Sequence, residues 1–251
     1  MEPTSNCSSA SGGVRFAGAA AFMQAIESRK LILFYTDLRG RWPEPSARAF
    51  TAQLPYARRL ALRAARTESR ASLAGIALAL RSLARLIGRT VRAAEIVFAQ
   101  GEKPRLVTSI AHRLLACGEA PPTLARSLRP GEDTALDDIA VDFSISHAGP
   151  WVACAALARG CVGFDLEMGT DERIADWVLR EAALKAGGEG LRALQEVEDL
   201  HVREGRMHWR DGVWHVRRLE GFEGASACVV SSIEVDAVET HPVELAELFD
   251  S

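Results

Sequence analysis

A run of short apolar segments between residues 141 and 168 most constrains the fold of this chain. VDFSISHAG, WVACAAL and CVGFDLEM follow one another with short turns between them, and their β-branched and aromatic content is typical of strands. The tight turn ARG predicts that WVACAAL and CVGFDLEM form an antiparallel hairpin. The pattern DERIADWVLREAALKAGGEGL then predicts a helix that ends at Gly187 and Gly188. Strands combined with such a helix predict an α+β fold.

The flanking sequence repeats this succession of strand, helix and hairpin. Upstream, KLILFYTDL predicts a strand, and apolar residues recur at steps of three and four between Thr67, the expected N-cap, and Gly88, the expected C-cap. EIVFAQGEKPRL predicts a strand, a turn and a short extended piece. Downstream, LHVREGRMHW and GVWHVRRLE flank the turn signal Asp211-Gly212, and GASACVVSSIEV predicts one more strand. Two α+β lobes of similar size are expected.

The expected boundary between the lobes lies in residues 107–141, where APP and RPGED indicate a helix followed by a polar loop. The N-terminus is rich in serine and glycine, which predicts a disordered or poorly ordered segment. We therefore expect a poorly ordered segment over 1–29, an N-terminal lobe over 30–142 and a C-terminal lobe over 143–251.

The two halves of the chain carry opposite charge. Residues 1–130 hold 20 basic and 8 acidic residues, whereas residues 131–251 hold 10 and 25. A basic half suggests an anionic partner, which could be nucleic acid, a phosphorylated ligand or an acidic protein. Nucleic acid is the weakest of the three, because the arginines lie among helical apolar residues without interleaved aromatic side chains.

Hydropathy and cysteine content favour a protein of the cytoplasm. The longest apolar stretch, ASLAGIALAL, has about half of the roughly 20 residues that a membrane-spanning helix needs, so no membrane association is expected. The N-terminus lacks the basic region of a signal peptide. The five cysteines are odd in number and form no CxxC pair, which argues against a disulfide framework and against a zinc site.

VGFDLEM carries two carboxylates, Asp165 and Glu167, within a short apolar run. In a strand, Val162, Phe164 and Leu166 would face one way and the two carboxylates the other. Like charges held that close repel, and each raises the pKa of the other, unless water or a cation lies between them. The pair is therefore either the solvated face of a strand or part of a metal site.

The helix after this strand and the segment before it offer further polar groups. Trp177, Glu181 and Lys185 are spaced at four and share one helix face, so Glu181 and Lys185 are either an exposed ion pair or groups turned toward the carboxylates. A third carboxylate is what a Mg²⁺ site with Asp165 and Glu167 requires, and Mg²⁺ held this way points to a phosphate-bearing ligand. In SHAG, Ser146 and His147 suit phosphate contacts, although a lone histidine beside serine is more often structural.

Four segments in this order resemble the motifs of the Sfp-type 4'-phosphopantetheinyl transferases: KPRL, FSISHAGPWVACA, VGFDLEM and WVLREAALKAGGEGL. The resemblance spans residues 30–235 and is most specific over 143–191. It implies two pseudo-symmetric α+β lobes with coenzyme A in the cleft between them. It also implies transfer of the phosphopantetheine arm of coenzyme A to a serine of an acyl or peptidyl carrier protein, with release of 3',5'-ADP. Such enzymes serve polyketide, nonribosomal peptide or fatty acid biosynthesis, and we expect a monomer.

The resemblance also assigns roles to individual residues. The metal ligands would be Asp165, Glu167 and Glu181, with Asp165 and Glu167 facing the cleft. Lys185 would contact the pyrophosphate and polarise the reacting phosphate, and Glu181, directly or through a metal-bound water, would be the general base. The other contacts to coenzyme A would be Arg70, Lys103, Ser146 and His147.

Three features differ from the usual family pattern. Residues 107–142 form a longer link than is usual, and residues 168–176 form a much shorter one in the segment that contributes to carrier docking. Arg180 stands where the family has lysine. The alternative function is a non-catalytic coenzyme A-binding or regulatory protein of the same fold.

Overall fold

The computed structural model describes residues 29–64, 69–98, 103–107, 141–188 and 190–250. These residues form four α-helices, three short 3-10 helices and ten strands, and the α-helices and strands are numbered in chain order. The helices are α1 (Glu44–Gln53), α2 (Tyr56–Ala64), α3 (Ser69–Ile87) and α4 (Glu172–Gly187). The strands are β1 (Lys30–Asp37), β2 (Ile96–Val97), β3 (Arg105–Leu106), β4 (Val141–Ala148), β5 (Trp151–Ala158), β6 (Val162–Met168), β7 (Arg206–Trp209), β8 (Gly212–Leu219), β9 (Ala225–Ser231) and β10 (Ala237–Pro242).

The strands form two four-stranded sheets and one small ladder. Sheet one has the order β10-β1-β5-β4, in which β10 is parallel to β1 and the other pairs are antiparallel. Sheet two has the order β6-β9-β8-β7 and is antiparallel throughout. The short strands β2 and β3 pair with each other. The expected α+β class is confirmed.

The sheets and the two longest helices lie in four layers. Alternate residues of β5 face opposite ways: Val152 and Cys154 pack against α3, whereas Ala153 and Ala155 pack against sheet two. Sheet two alternates in the same way, since Val229 faces sheet one and its neighbour packs against α4. The order of layers is therefore α3, sheet one, sheet two and α4.

Both long helices end as their sequences predict. Gly88 follows α3 with a φ of 69°, and its amide donates to the carbonyl of Ala84 at 3.0 Å. Gly188 follows α4 in the left-handed conformation, and the side chain of Asp171 caps the other end of α4 by accepting from the amide of Ile174. Thr67, the expected N-cap of α3, lies outside the described residues.

The predicted hairpin between β5 and β6 is wrong. Both edges of β5 are already paired, with β1 and with β4, and β6 pairs instead with β9. The turn after β5 therefore carries the chain from sheet one to sheet two, with Arg159 at a φ of 60°. The β7–β8 hairpin is confirmed, but its two-residue loop is Arg210-Asp211, because Trp209 pairs with Gly212.

The two sheets do not divide the chain at the expected boundary between residues 142 and 143. Strands β4 and β5 follow that boundary yet belong to the sheet of β1, and β10 returns to the same sheet from the end of the chain. The expected poorly ordered segment falls, apart from Arg29, outside the described residues. The expected helix and loop of 107–141 do so as well, apart from their first and last residues.

Within the described ranges, no helix combines the length and the apolar character needed to cross a membrane.

Candidate functional site

The two sheets meet where the edge strand β4 of sheet one lies beside the edge strand β6 of sheet two. Side chains of β4 join them: the Ser144 hydroxyl donates to the carbonyl of Phe164 at 3.3 Å, and an Asp142 carboxylate oxygen accepts from the amide of Val162 at 2.7 Å. We call this contact the seam. It places the polar face of β6 against groups from both sheets.

Asp165 lies at the seam and is 1% exposed. Its Oδ1 accepts from the Ser146 hydroxyl at 2.7 Å and from the Lys185 Nζ at 2.5 Å. Its Oδ2 is buried and has no hydrogen-bond partner among the described residues. The predicted alternation of β6 is confirmed, because Val162, Phe164 and Leu166 pack between the sheets. The expectation that Asp165 faces an open cleft is wrong, as is the alternative of a solvated strand face.

Helix α4 brings Glu181 and Lys185 onto this strand. Gly163 allows the approach, because a Cβ atom there would overlap backbone atoms of α4. The Lys185 Nζ lies 3.9 Å from a Glu181 carboxylate oxygen but 2.5 Å from Asp165. The side chains of Glu181 and Lys185 are 19% and 30% exposed, so the pair is not the exposed helix pair that the spacing alone allows. Lys185 is primarily the counterion of Asp165.

The carboxylates outnumber the cations in this cluster. The pKa of Glu181 is raised, first because burial disfavours its charge, then because of Asp165 and, more weakly, Glu167, while Lys185 acts in the opposite direction. Glu167 lies two residues from Asp165 on the same strand face and is half-buried. The cluster therefore holds three carboxylates against one lysine, which is an environment that attracts a further cation.

Whether these residues can bind a metal ion depends on the donor atoms that they offer. Among the described residues, no group of three or more His, Cys, Asp or Glu side chains is arranged to hold a metal ion. The unpartnered Oδ2 of Asp165 nevertheless provides a buried oxygen beside the raised-pKa carboxylate of Glu181. Carboxylate oxygens are the ligands that Mg²⁺ prefers. The donor chemistry fits Mg²⁺, and the ligand set Asp165, Glu167 and Glu181 stays a prediction.

Of the four other expected contacts to coenzyme A, the structure brings only Ser146 into the cluster beside Lys185. Its hydroxyl donates to Asp165 and accepts from the Lys185 Nζ at 3.1 Å. His147 lies on the opposite face of β4, because it is in register with Val152, which packs against α3. A ligand that contacts both Ser146 and His147 would have to reach around the edge of sheet one.

Lys103 and Arg70 make other contacts. The Lys103 Nζ pairs with Asp142 and donates to the carbonyl of Val162 at 2.6 Å, which is roughly 10 Å along β6 from Asp165. Arg70 is 63% exposed, pairs with Glu44 at 3.3 Å and lies over the ring of Trp42. None of these contacts involves Asp165, Glu181 or Lys185, and the coenzyme A roles of Lys103 and Arg70 stay predictions.

Asp142 is a residue at the seam that sequence reasoning missed. It accepts from Lys103 and Val162 through one oxygen and from the amide of Phe143 through the other. An aspartate at the start of a strand has no spacing signature, because its partners come from β6 and from the segment before β3.

A separate cleft lies between the sheets at the edge away from the seam. Its lining includes Leu31 and Val238 of sheet one and Arg217 of sheet two. Its two arginines are engaged in other contacts, since Arg206 pairs with Glu234 and Arg217 donates to the carbonyl of Val235. We therefore place the candidate site at Asp165.

No protein-family profile matches the chain. No curated protein matches it significantly.

Proposed function

We propose that this chain is a Mg²⁺-dependent 4'-phosphopantetheinyl transfer enzyme of the Sfp type. Its substrates would be coenzyme A and a serine of an acyl or peptidyl carrier protein, and its second product would be 3',5'-ADP. The observation that carries the proposal is the buried Asp165 with one unpartnered oxygen, held by Ser146 and Lys185 beside the raised-pKa Glu181. This arrangement unites four residues of three separate sequence motifs.

The layered architecture supports the proposal. Each four-stranded sheet is covered on its outer face by one long helix, which agrees with two pseudo-symmetric α+β lobes. Each lobe would then comprise one sheet and its helix rather than residues 30–142 or 143–251, and coenzyme A would lie along the seam between the two sheets. The basic half of the chain would supply Arg70 and Lys103 as cations for the phosphates, and His147 is a third proposed contact beyond the cluster.

The reaction needs mainly positioning and stabilisation of charge. The carrier serine oxygen forms a bond to the phosphorus that bears the pantetheine arm, while the bond from that phosphorus to the 3',5'-ADP oxygen breaks. Bound Mg²⁺ would neutralise pyrophosphate charge, with Asp165, Glu167 and Glu181 as its ligands. The Lys185 ammonium would stabilise charge on the phosphoryl oxygens.

Glu181 would receive the proton of the serine hydroxyl. Burial and the neighbouring carboxylates raise its pKa in the metal-free protein, which favours uptake of a proton there. Ser146 would keep Asp165 in place through its hydrogen bond to Oδ1. We place the reaction in the cytoplasm, with a monomeric enzyme that serves polyketide, nonribosomal peptide or fatty acid biosynthesis.

The test incubates the protein with coenzyme A, Mg²⁺ and several apo carrier domains, and detects the modified serine by mass spectrometry. Asp165→Asn is the main variant because it keeps the size of the buried side chain, and exposed Arg173→Met on α4 is the matched control. Transfer by the wild type and the control, with loss in Asp165→Asn, is expected. Unaltered carriers throughout, with retained coenzyme A binding, would instead favour the non-catalytic alternative.

The Glu181→Gln variant tests whether Glu181 is the general base or an ordinary helix residue. It keeps the size of the side chain but removes its charge, so single-turnover transfer is expected to fall by at least about 10²-fold. Direct coenzyme A binding should fall less, because the cationic contacts remain. Unchanged transfer in this variant would reject the assignment of Glu181.

A further inference from the structure

Lys185 is bound to the carboxylate that the proposed metal requires. Its Nζ lies 2.5 Å from Asp165 Oδ1, the shortest of its contacts within the cluster. Asp165 is nearly fully buried, whereas the side chain of Lys185 is 30% exposed. Lys185 can therefore move toward solvent, and Asp165 cannot.

The two oxygens of Asp165 differ in their surroundings. Oδ1 accepts from both Ser146 and Lys185, whereas Oδ2 is buried and meets no hydrogen-bond partner in the part of the chain that the structure describes. A buried polar atom without a partner is costly, and this one belongs to a carboxylate that already needs a cation. The unpartnered Oδ2 thus indicates that a ligand binds here. The free protein binds this ligand poorly while Lys185 is paired with the carboxylate.

We propose that Lys185 and a divalent metal compete for Asp165, and that a phosphate-bearing ligand relieves the competition by drawing Lys185 away. The free protein then binds the metal weakly, and the metal and the ligand bind cooperatively. The identification of the ligand as coenzyme A rests on the proposed function, whereas the competition itself rests on the geometry alone.

Electrostatics sets the direction of the effect. An ammonium group next to Oδ1 repels a divalent cation at the same carboxylate, and the repulsion is strong where burial limits screening by water. Replacing Lys185 by an uncharged side chain of similar length removes this repulsion and leaves the carboxylates in need of a cation. The metal affinity of the ligand-free protein should then rise, although transfer should be lost.

The first experiment measures Mn²⁺ binding by electron paramagnetic resonance in the absence of coenzyme A. Lys185→Met is expected to bind Mn²⁺ at least tenfold more tightly than the wild type. Arg173→Met removes a positive charge from an exposed position of the same helix and is expected to change the affinity less than twofold. Affinity in Lys185→Met equal to or weaker than that of the wild type would overturn the competition.

The second experiment measures the coupling between the two ligands. Coenzyme A should tighten Mn²⁺ binding to the wild type, and by linkage Mn²⁺ should tighten coenzyme A binding by the same factor. In Lys185→Met this factor should be at least tenfold smaller. An undiminished factor would overturn the role of Lys185 in coupling. Coenzyme A without any effect on the wild type would count against the proposed function, while the Mn²⁺ comparison still decides the competition.

Lys185→Met leaves buried Asp165 without its counterion, so its folding is checked by circular dichroism. Lys185→Gln provides a second variant, since its amide can donate to Asp165 but carries no charge. For both variants, Mn²⁺ should raise the thermal unfolding temperature more than it does for the wild type. An equal or smaller rise in Lys185→Gln would contradict the proposal even if Lys185→Met did not fold.

Discussion

Gly163→Ala tests the contact that places Glu181 and Lys185 over Asp165. A Cβ atom at Gly163 would overlap the carbonyl oxygen of Ala182 and the amide nitrogen of Ala186, both backbone atoms of α4. Backbone atoms of a helix cannot rotate aside as a flexible side chain can. The substitution must therefore separate α4 from β6 or distort one of them.

The expected loss of stability follows from the core that would open if α4 moved away from β6. Ala182 and Ala186 are 0% and 3% exposed and belong to the core between α4 and sheet two. Overpacking against movable side chains costs about 1–3 kcal/mol, and here the obstacle is backbone. We therefore expect the free energy of unfolding to fall by at least about 3 kcal/mol, a large share of the roughly 5–15 kcal/mol of a typical protein.

Equilibrium unfolding in urea, followed by circular dichroism, measures this loss. Gly40→Ala is the matched control, because its Cβ would meet only the side chain of Leu245 at an ordinary 3.5 Å. The control should lie within about 1 kcal/mol of the wild type. A Gly163→Ala protein as stable as the control would refute the close approach of β6 and α4.

Three further predictions concern other contacts. Arg81 donates to three backbone carbonyls near residue 250. The Arg81→Met variant should therefore lower the free energy of unfolding, measured in urea, by about 1–3 kcal/mol. The exposed Arg48→Met variant should have little effect. Lys103→Met should cost a similar amount by the same measurement, because it leaves Asp142 without its cation; unchanged stability would favour a role in ligand binding alone. The pKa of Glu181 is raised above its ordinary value of 4.5, so ionisation of this carboxyl group destabilises the metal-free fold as pH rises above 4.5. The Glu181→Gln variant should therefore be more stable than the wild type at neutral pH, and the difference should vanish below pH 4.5.

Local patterns predicted the elements that form the site. The alternation of VGFDLEM placed Asp165 and Glu167 on the strand face away from the apolar core between the sheets, and the spacing of four placed Glu181 and Lys185 together on α4. Both inferences depend only on the geometry of a single strand or helix. The contact between Lys185 and Asp165 follows once α4 packs on β6.

Pairing between distant segments could not be predicted in this way. Every residue of β5 is buried, so its sequence carries no alternation that would reveal its partners, and the short turn after it wrongly suggested a hairpin. The parallel pairing of β1 with β10 joins segments about 200 residues apart. Helices α1 and α2 were also not anticipated.

Because the cluster lies at the seam, a ligand bound there should affect the stability of the fold as well as the chemistry of the site. Ser146 belongs to sheet one, whereas Asp165 and Lys185 belong to sheet two and its helix, so the hydrogen bonds of Asp165 cross from one sheet to the other. A ligand that binds this cluster only in the folded state stabilises the fold in proportion to the logarithm of its concentration above its Kd. Because the bound groups come from both sheets, the added stability should protect β4 and β6 together from hydrogen exchange. Protection confined to one of the two strands would place the ligand away from the seam.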